Sequence, residues 1–96
     1  MVAMTDVQQH RSEILRLAEK HGARNVRLFG SIVRDQADPT SDLDVLVEFE
    51  DDRSLVDHVA LKQALEDLLG CRVDVVEDQA LHHALRDRVL SQAVSL

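Results

Sequence analysis

Residue types that identify particular classes of protein are scarce in this chain. Its 96 residues include one cysteine, one proline, three glycines, two phenylalanines and neither tryptophan nor tyrosine. The single cysteine, Cys71, excludes an internal disulfide and is typical of a reducing compartment. No apolar run approaches the roughly 20 residues of a membrane-spanning helix, and the first residues lack the basic and apolar regions of a signal peptide. We therefore expect a cytoplasmic protein without a membrane segment.

Aromatic side chains and positive charge, which many nucleic-acid-binding surfaces need, are also limited. The chain has 18 acidic residues against 11 Lys and Arg, and its formal net charge is −7. This balance opposes long-range attraction to phosphate backbones, and two Phe residues are too few for a base-stacking surface. We expect no direct binding to nucleic acid. A chain of this size has room for one core, so we also expect a single domain over residues 1–96.

The hydrophobic spacing predicts helices and strands in alternation. A first helix over roughly 6–21 follows a capping box formed by Thr5 and Gln8. The other predicted helices span about 32–37, 55–69 and 79–96, and the predicted strands span 26–29, 42–49 and 72–77. This order predicts a mixed α/β (α+β) fold, with one small mixed sheet of about three strands flanked by helices.

The two later helices are predicted to turn apolar residues towards the sheet. On the helix that follows a cap at Ser54, the inward residues would be Leu55, Val59, Leu65, Leu68 and Leu69. On the last helix they would be Leu81, Leu85, Val89 and Ala93.

A pair of carboxylates on the second predicted strand is the first feature that indicates chemistry. Asp42 and Asp44 are two residues apart, so they point to the same face of the sheet. Paired carboxylate oxygens suit Mg²⁺, which takes one or two carboxylates and completes its shell with water and substrate phosphates. Asp74 would bring a third carboxylate to that face if its strand pairs beside the second in a suitable register. Two metal ions could then bind.

A candidate phosphate site precedes these acids in the sequence. Gly30-Ser31 lies where a predicted strand gives way to a short helix, a geometry in which free backbone N–H groups bind phosphate. Gly30 permits close backbone approach, the Ser31 hydroxyl adds a donor, and Arg34 lies one turn later. A phosphate site beside a divalent-metal site indicates phosphoryl or nucleotidyl transfer.

These motifs resemble the polymerase β-type nucleotidyltransferase superfamily. Gly30-Ser31 is followed after ten residues by Asp42-Leu43-Asp44 and later by Asp74 within an apolar strand. More narrowly, the segments 28–34 and 41–47 resemble the minimal nucleotidyltransferases, or MNT proteins, over nearly the whole chain. The resemblance implies an α/β nucleotidyltransferase fold and Mg²⁺-dependent attack on the α-phosphate of a nucleoside triphosphate such as ATP. Pyrophosphate is then released.

The resemblance also implies site residues and a partner. Asp42 and Asp44 would ligate two Mg²⁺ ions, Asp74 would complete the metal site, and Gly30 and Ser31 would hold the triphosphate. Arg34 would also contact phosphate. Many minimal members are antitoxins that transfer AMP to a tyrosine of a HEPN ribonuclease toxin. A HEPN-type toxin is therefore the expected partner, and the absence of tyrosine in this chain excludes tyrosine self-modification.

Other interpretations remain open on the residues alone. The acids at 42, 44 and 74 are also compatible with a solvated strand face, and Arg34 with a surface charge paired to Asp35 or Asp42. Asp35 stands where many relatives have glycine, which keeps open the alternative of a binding module that neutralises its toxin by complex formation or senses nucleotide. A third hypothesis is nucleotidylation of a small molecule, for which a homodimer would have to supply the acceptor pocket.

Overall fold

The computed structural model describes residues 3–34 and 42–96, which form a four-stranded sheet with flanking helices. The helices are α1 (Met4–Gln9), α2 (Arg11–Lys20), α3 (Leu55–Leu69) and α4 (His83–Gln92). The strands are β1 (Ala23–Phe29), β2 (Leu43–Phe49), β3 (Val73–Glu77) and β4 (Val94–Ser95). Short 3₁₀ helices at Gly30–Ile32 and Asp78–Ala80 follow β1 and β3. The predicted mixed α/β class is confirmed, with one strand more than expected.

The strand order in the sheet is β3-β2-β1-β4. Strands β2 and β3 are parallel and are joined by α3, whereas β1 pairs antiparallel with β2 and with β4. A helical crossover is the usual connection between parallel neighbours, because the chain must return to the starting edge of the sheet. Strand β4 has only two residues, too few to show the alternation that predicts a strand.

One face of the sheet forms the hydrophobic core. Leu28, Val45 and Val75 are register partners across β1, β2 and β3, and each is at most 4% exposed. Side chains of α2 and α3 cover this face, among them Ile14, Ala18, Leu61 and Leu65. Burying each large aliphatic side chain contributes about 1.5–3 kcal/mol. The opposite face is left for the residues that alternate with the core, including Asp44 and Asp74.

The opposite face is covered in part by the chain that follows β3. Asp78 is buried there, with its carboxylate 3.0 Å from Arg27 Nη2 and 2.8 Å from Arg86 Nη2. Arg27 is paired with Leu46, two residues from Asp44 and on the same face. Because its side chain is only 5% exposed, Asp78 ties α4 to β1 through charges that are largely withdrawn from water.

The first predicted helix is interrupted, so the expectation of one continuous helix was wrong. Helix α1 ends at Gln9 and α2 starts at Arg11, and at the intervening His10 the ring Nδ1 lies 2.9 Å from the Asp6 carbonyl oxygen. The predicted Thr5 cap is replaced by an earlier one, in which the Asp6 carboxylate accepts the Ala3 N–H at 2.9 Å. Aspartate in the first turn also interacts favourably with the helix dipole.

Helix α3 has the predicted ends but a different buried face. The Ser54 hydroxyl accepts the Val56 N–H, and Gly70 ends the helix in the left-handed region. Leu65 is buried as expected, yet Leu55 is 76% exposed and Val59 is 55% exposed. At 100° per residue, Val59 lies about 200° around the helix axis from the buried Leu61, so the two cannot both face the sheet.

The last helix is shorter and less buried than predicted. A 3₁₀ turn occupies Asp78–Ala80, and α4 begins only at His83, where the His82 ring accepts the Ala84 N–H at 3.1 Å. No residue of α4 is fully buried, and Leu85, expected to face inward, is 52% exposed. Within the described ranges, the chain forms no helix with the length and apolar character needed to cross a membrane.

Candidate functional site

Two of the predicted acidic residues are adjacent on neighbouring strands. Strands β2 and β3 pair so that Asp44 lies opposite Asp74, and β1 places Phe29 on the other side of Asp44. Because side chains alternate across a strand, Asp44 and Asp74 share the face opposite the core. Asp44 is half-buried and Asp74 is exposed. The pairing of β2 with β3 therefore has the register that brings Asp74 beside Asp44, which the sequence alone could not establish.

The end of β1 approaches the Asp44 carboxylate closely. Gly30 follows the last residue of β1 with φ at +79°, a left-handed conformation that favours glycine. A Cβ atom at this position would collide with Oδ2 of Asp44. The glycine is therefore required both by the backbone turn and by the carboxylate that lies against it, which links the Gly-Ser and Asp-x-Asp parts of the motif in space.

The surroundings of Asp44 disfavour its negative charge. Burial raises the pKa of the Asp44 carboxyl, and the nearby carboxylates of Asp74 and Asp42 raise it further, while the Arg34 guanidinium acts in the opposite direction. Withdrawal from water and like-charge repulsion both favour the protonated acid. A bound cation would offset this cost, so the electrostatics suit a positively charged ligand between the strands.

Asp42 differs from the other two acids in its contacts. It directly precedes β2, and its Oδ1 lies 3.0 Å from Nε of Arg72, with both side chains largely exposed. In the described part of the chain, no three His, Cys, Asp or Glu side chains are grouped so as to hold a metal ion. The Asp42 carboxylate is thus paired with Arg72, while it remains near enough to Asp44 to raise the pKa of that acid.

Arg72 is the residue of this region that motif reasoning did not assign to the site. It immediately precedes β3, and its backbone carbonyl accepts the Leu43 N–H at 2.9 Å, which extends the β2–β3 pairing towards the acids. The available signal was its alternation with Asp74 on the same predicted strand, which places a positive charge beside the carboxylates. That pattern is common on ordinary half-exposed strands and therefore carried little weight.

The predicted phosphate site forms the turn after β1. Residues Gly30–Ile32 make a single 3₁₀ turn, in which the backbone N–H groups of Val33 and Arg34 both donate to the Gly30 carbonyl. Ser31 is partly buried and Arg34 is exposed. Asp35 and the remainder of the predicted helix 32–37 lie outside the described residues. The turn therefore brings Gly30 against Asp44 and Arg34 close enough to act on its charge.

Comparison with known proteins identifies relatives along almost the whole chain. The family model for the nucleotidyltransferase domain matches residues 9–96. MJ0435 of Methanocaldococcus jannaschii, provisionally named a protein adenylyltransferase, is 40% identical over 91 residues, covering 95% of this chain and 98% of that protein. Protein adenylyltransferase MntA of Thermococcus cleftensis is 42% identical over 78 residues, covering 81% of this chain and 79% of that one.

Several solved structures resemble this chain in their fold. A structure provisionally described as a minimal nucleotidyltransferase superposes with a TM-score of 0.90 at 46% identity, covering 99% of this chain and 97% of that one. A toxin–antitoxin structure with AMP-PNP gives 0.74 at 24% identity, covering 88% and 69%. A tri-AMPylated HEPN toxin of Shewanella oneidensis in complex with its MNT antitoxin gives 0.69 at 23% identity, covering 92% and 69%.

Proposed function

This chain belongs to the nucleotidyltransferase domain family, and from that premise we propose that it is a protein adenylyltransferase. It would transfer AMP from ATP to a hydroxyl group of a partner protein, releasing pyrophosphate. The similarity to protein adenylyltransferase MntA supports AMP as the transferred group. We further propose that the acceptor is a tyrosine of a HEPN ribonuclease toxin and that this chain is the antitoxin.

One observation carries this proposal: Asp44 and Asp74 are register partners, and the Gly30 turn lies directly against Asp44. Nucleotidyl transfer needs oxygen ligands for a divalent cation next to a backbone turn that admits the triphosphate. The Asp44–Asp74 pair and the Gly30 turn lie at the same end of β2, which supports both requirements. The raised pKa of the Asp44 carboxyl is expected for an acid of a metal site in the absence of the cation.

The donor set fits Mg²⁺. Carboxylate oxygens of Asp42, Asp44 and Asp74 are the hard ligands that this ion prefers, and we propose these three residues as its ligands. Asp42 would have to exchange its contact with Arg72 for the ion, and an exposed pair of this kind is worth only about 0–1 kcal/mol. When bound, Mg²⁺ would neutralise the phosphate oxygens, and two ions would also help to activate the attacking hydroxyl.

Residues of the β1 turn would hold the nucleotide. Gly30 lets the backbone approach a phosphate, the Ser31 hydroxyl would donate a hydrogen bond to a phosphate oxygen, and Arg34 would pair with the same anion through its guanidinium. Because these donors are fixed at the end of a strand, they would orient the α-phosphate relative to the acids before the acceptor arrives. Orientation of this kind lowers the barrier by removing freedom of motion in advance.

The acceptor is proposed to come from another chain. This chain contains no tyrosine, so a tyrosine acceptor cannot be its own. The complex of an AMPylated HEPN toxin with an MNT antitoxin, a fold neighbour, motivates the choice of toxin class. A homodimer that modifies small molecules would instead need an acceptor pocket, and it should label a small acceptor in preference to the toxin.

A second candidate function is neutralisation by binding alone. The Asp42–Arg72 contact favours it, because one of the three proposed ligands is engaged with a cation of the protein itself. This function predicts that a variant with Asp42→Asn and Asp44→Asn still protects cells from the toxin. The transferase function predicts that protection is lost although the complex still forms.

The direct test is to incubate the chain with the HEPN toxin encoded beside it, Mg²⁺ and ATP labelled at the α-phosphate. The expected result is label on the toxin with the wild-type chain and with Asp87→Asn, a matched surface variant on α4. With Asp44→Asn, label should accumulate at least about 100-fold more slowly. An unlabelled toxin with the wild-type chain would refute the transferase function, and label that accumulates with Asp44→Asn at the wild-type rate would refute the assigned site.

A further inference from the structure

The first turns of α3 expose an apolar surface that the transferase site does not use. Leu55 and Val56 are each 76% exposed and Val59 is 55% exposed, and we name these three residues the α3 ridge. They lie within about 100° of one another around the helix axis, so they form one continuous strip. Exposed apolar side chains that lie together, instead of singly, make this strip a candidate interaction surface.

A cleft of about 340 Å³ adjoins the α3 ridge. Leu55 belongs to both the ridge and the cleft lining. On the cleft wall, the His58 ring stacks on Phe49 with centroids 5.3 Å apart, and its Nε2 lies 2.6 Å from the Val75 carbonyl oxygen. These contacts hold the ring against the end of the sheet, so the His58 wall of the cleft is in place before any partner binds.

Acidic side chains lie beside this apolar surface, around the cleft that Leu55 lines. The acidic rim consists of Glu50, Asp51, Asp52 and Glu77, three of which line the cleft. Arg53 is the nearby cation, but its guanidinium is already within 4 Å of Glu50, Asp52 and Asp57. The local charge is therefore strongly negative.

From this arrangement we propose that the α3 ridge and acidic rim form the docking surface for the toxin. The segment bound there would carry apolar side chains flanked by Lys or Arg. Charge complementarity selects this occupant over a second copy of the chain. In a two-fold dimer centred on the ridge and rim, the acidic rims of the two copies would lie close together, and their like charges would repel. The identification of the partner as the toxin rests on the proposed function, whereas the apolar and acidic character of the surface is read from the structure.

A ribonuclease suits the chemistry of this surface. It must bind the phosphates of RNA, and it does so with clustered Lys and Arg side chains. The docking surface also lies away from the proposed catalytic acids, since Asp44 and Phe49 are five residues apart on β2, about 17 Å at the usual rise of a strand. Docking and transfer would therefore use separate parts of the sheet, and weaker docking should raise KM for the toxin and leave kcat unchanged.

The test uses two double variants, Leu55→Ser with Val56→Ser for the ridge and Asp51→Lys with Asp52→Lys for the rim. Matched controls on α4 are Leu85→Ser, which is also an exposed apolar residue, and Asp87→Lys. The probe is the purified HEPN toxin encoded beside this chain, carrying an inactivated ribonuclease site. Calorimetry at low and high salt gives the Kd, and labelled ATP gives KM and kcat. Binding of ATP alone and circular dichroism confirm that each variant is folded with an intact nucleotide site.

The ridge variant should raise the Kd for the toxin about 30-fold and the rim variant about 10-fold, with the rim variant losing most of the salt dependence. The controls should change the Kd less than about threefold. Toxin affinity that is unchanged in both double variants would overturn the docking surface without touching the transferase function. A wild-type chain that binds ATP but not the toxin would overturn the proposed partner. A wild-type dimer that the ridge variant dissociates would assign the surface to a second copy.

Discussion

The two ends of the parallel β2–β3 pair present acidic side chains in opposite settings. At the start of the strands, Asp44 is half-buried, lies opposite Asp74 and has the Gly30 turn against it. At the far end, the acidic rim is mostly exposed and lies beside the apolar α3 ridge, next to Leu55. Crowded, partly buried acids are costly unless a cation binds, whereas exposed acids cost little and act at longer range. The first setting suits catalysis, and the second suits recognition of a cationic partner.

The largest expected effect is at the crowded end. Asp44→Asn should lower the rate of AMP transfer about 10²–10³-fold, because it removes one charged ligand at the reacting centre. The melting temperature should not fall, since the pKa of the Asp44 carboxyl is already raised by burial and by its acidic neighbours. Steady-state transfer and thermal unfolding check the two expectations. A loss of activity accompanied by a large loss of stability would mean that Asp44 is mainly structural.

Alanine substitutions at two left-handed glycines, Gly30 and Gly70, distinguish the effect of backbone strain from that of a collision with the site. Gly30→Ala should lower transfer about 100-fold, because the new Cβ would collide with the Asp44 carboxylate. Gly70→Ala is the matched control, since Gly70 is also left-handed, with φ at +68°, but has no atom within 4 Å of the added Cβ. Both variants should lose about 1–2 kcal/mol of stability, measured by urea unfolding. Equal activity in the two variants would contradict the proposed role of the Gly30 turn.

A smaller effect is expected from the ion pair at Asp42. Arg72→Gln removes the competing contact at Asp42, so the Mg²⁺ concentration that gives half-maximal transfer should fall by up to about fivefold. Direct titration of Mn²⁺ binding provides a readout that does not depend on turnover. Arg24→Gln, which breaks an exposed pair with Glu48 elsewhere on the sheet, should leave both values unchanged. Weaker metal binding in Arg72→Gln would show that Arg72 supports the site instead of competing for it.

The smallest effect concerns how α3 is joined to β3. The Glu66 carboxylate accepts the Val73 N–H at 3.0 Å and the Lys62 ammonium at 2.9 Å, and these contacts lower the pKa of Glu66. A lowered pKa means that this stabilisation is present above the unfolded-state pKa, near 4.5, and is lost as the pH falls through the lower folded-state value. The Glu66→Gln variant should therefore have a lower melting temperature than the wild type at pH 7. Below about pH 4.5, its melting temperature should fall less steeply than that of the wild type. A decline parallel to that of the wild type would contradict this assignment.

At the crowded end, the sequence could predict the turn at Gly30 and the strand that carries Asp44, because these signals are local. Gly30 at a strand end and acids at alternate positions of a strand carry their geometry in their spacing. The register of Asp74 could not be read from spacing, because it depends on how α3 returns the chain to the sheet. The Asp42–Arg72 pair was missed for a similar reason, since it joins two separate strand starts.

The far end was predicted poorly because burial is a tertiary property. Large aliphatic residues in a helix, such as Leu55 and Val59, ordinarily indicate the face that packs on the core. Their residue type does not distinguish them from the buried Leu65. Strand β4 was missed since two residues form a strand only when β1 is already in place. In the sequence, the exposed apolar residues of α3 therefore look like core residues, whereas the motif acids are distinguished by their spacing.

The most direct measurement of the central claim is the intact mass of the HEPN toxin after incubation with this chain, ATP and Mg²⁺. The account predicts a toxin whose mass rises by whole AMP units, on tyrosine, with the wild-type chain and with Asp87→Asn. Over the time in which the wild-type chain modifies the toxin once, almost all of the toxin should keep its original mass with Asp44→Asn. A toxin that keeps its original mass while the wild-type chain binds both ATP and the toxin would contradict the account and leave neutralisation by binding as the function.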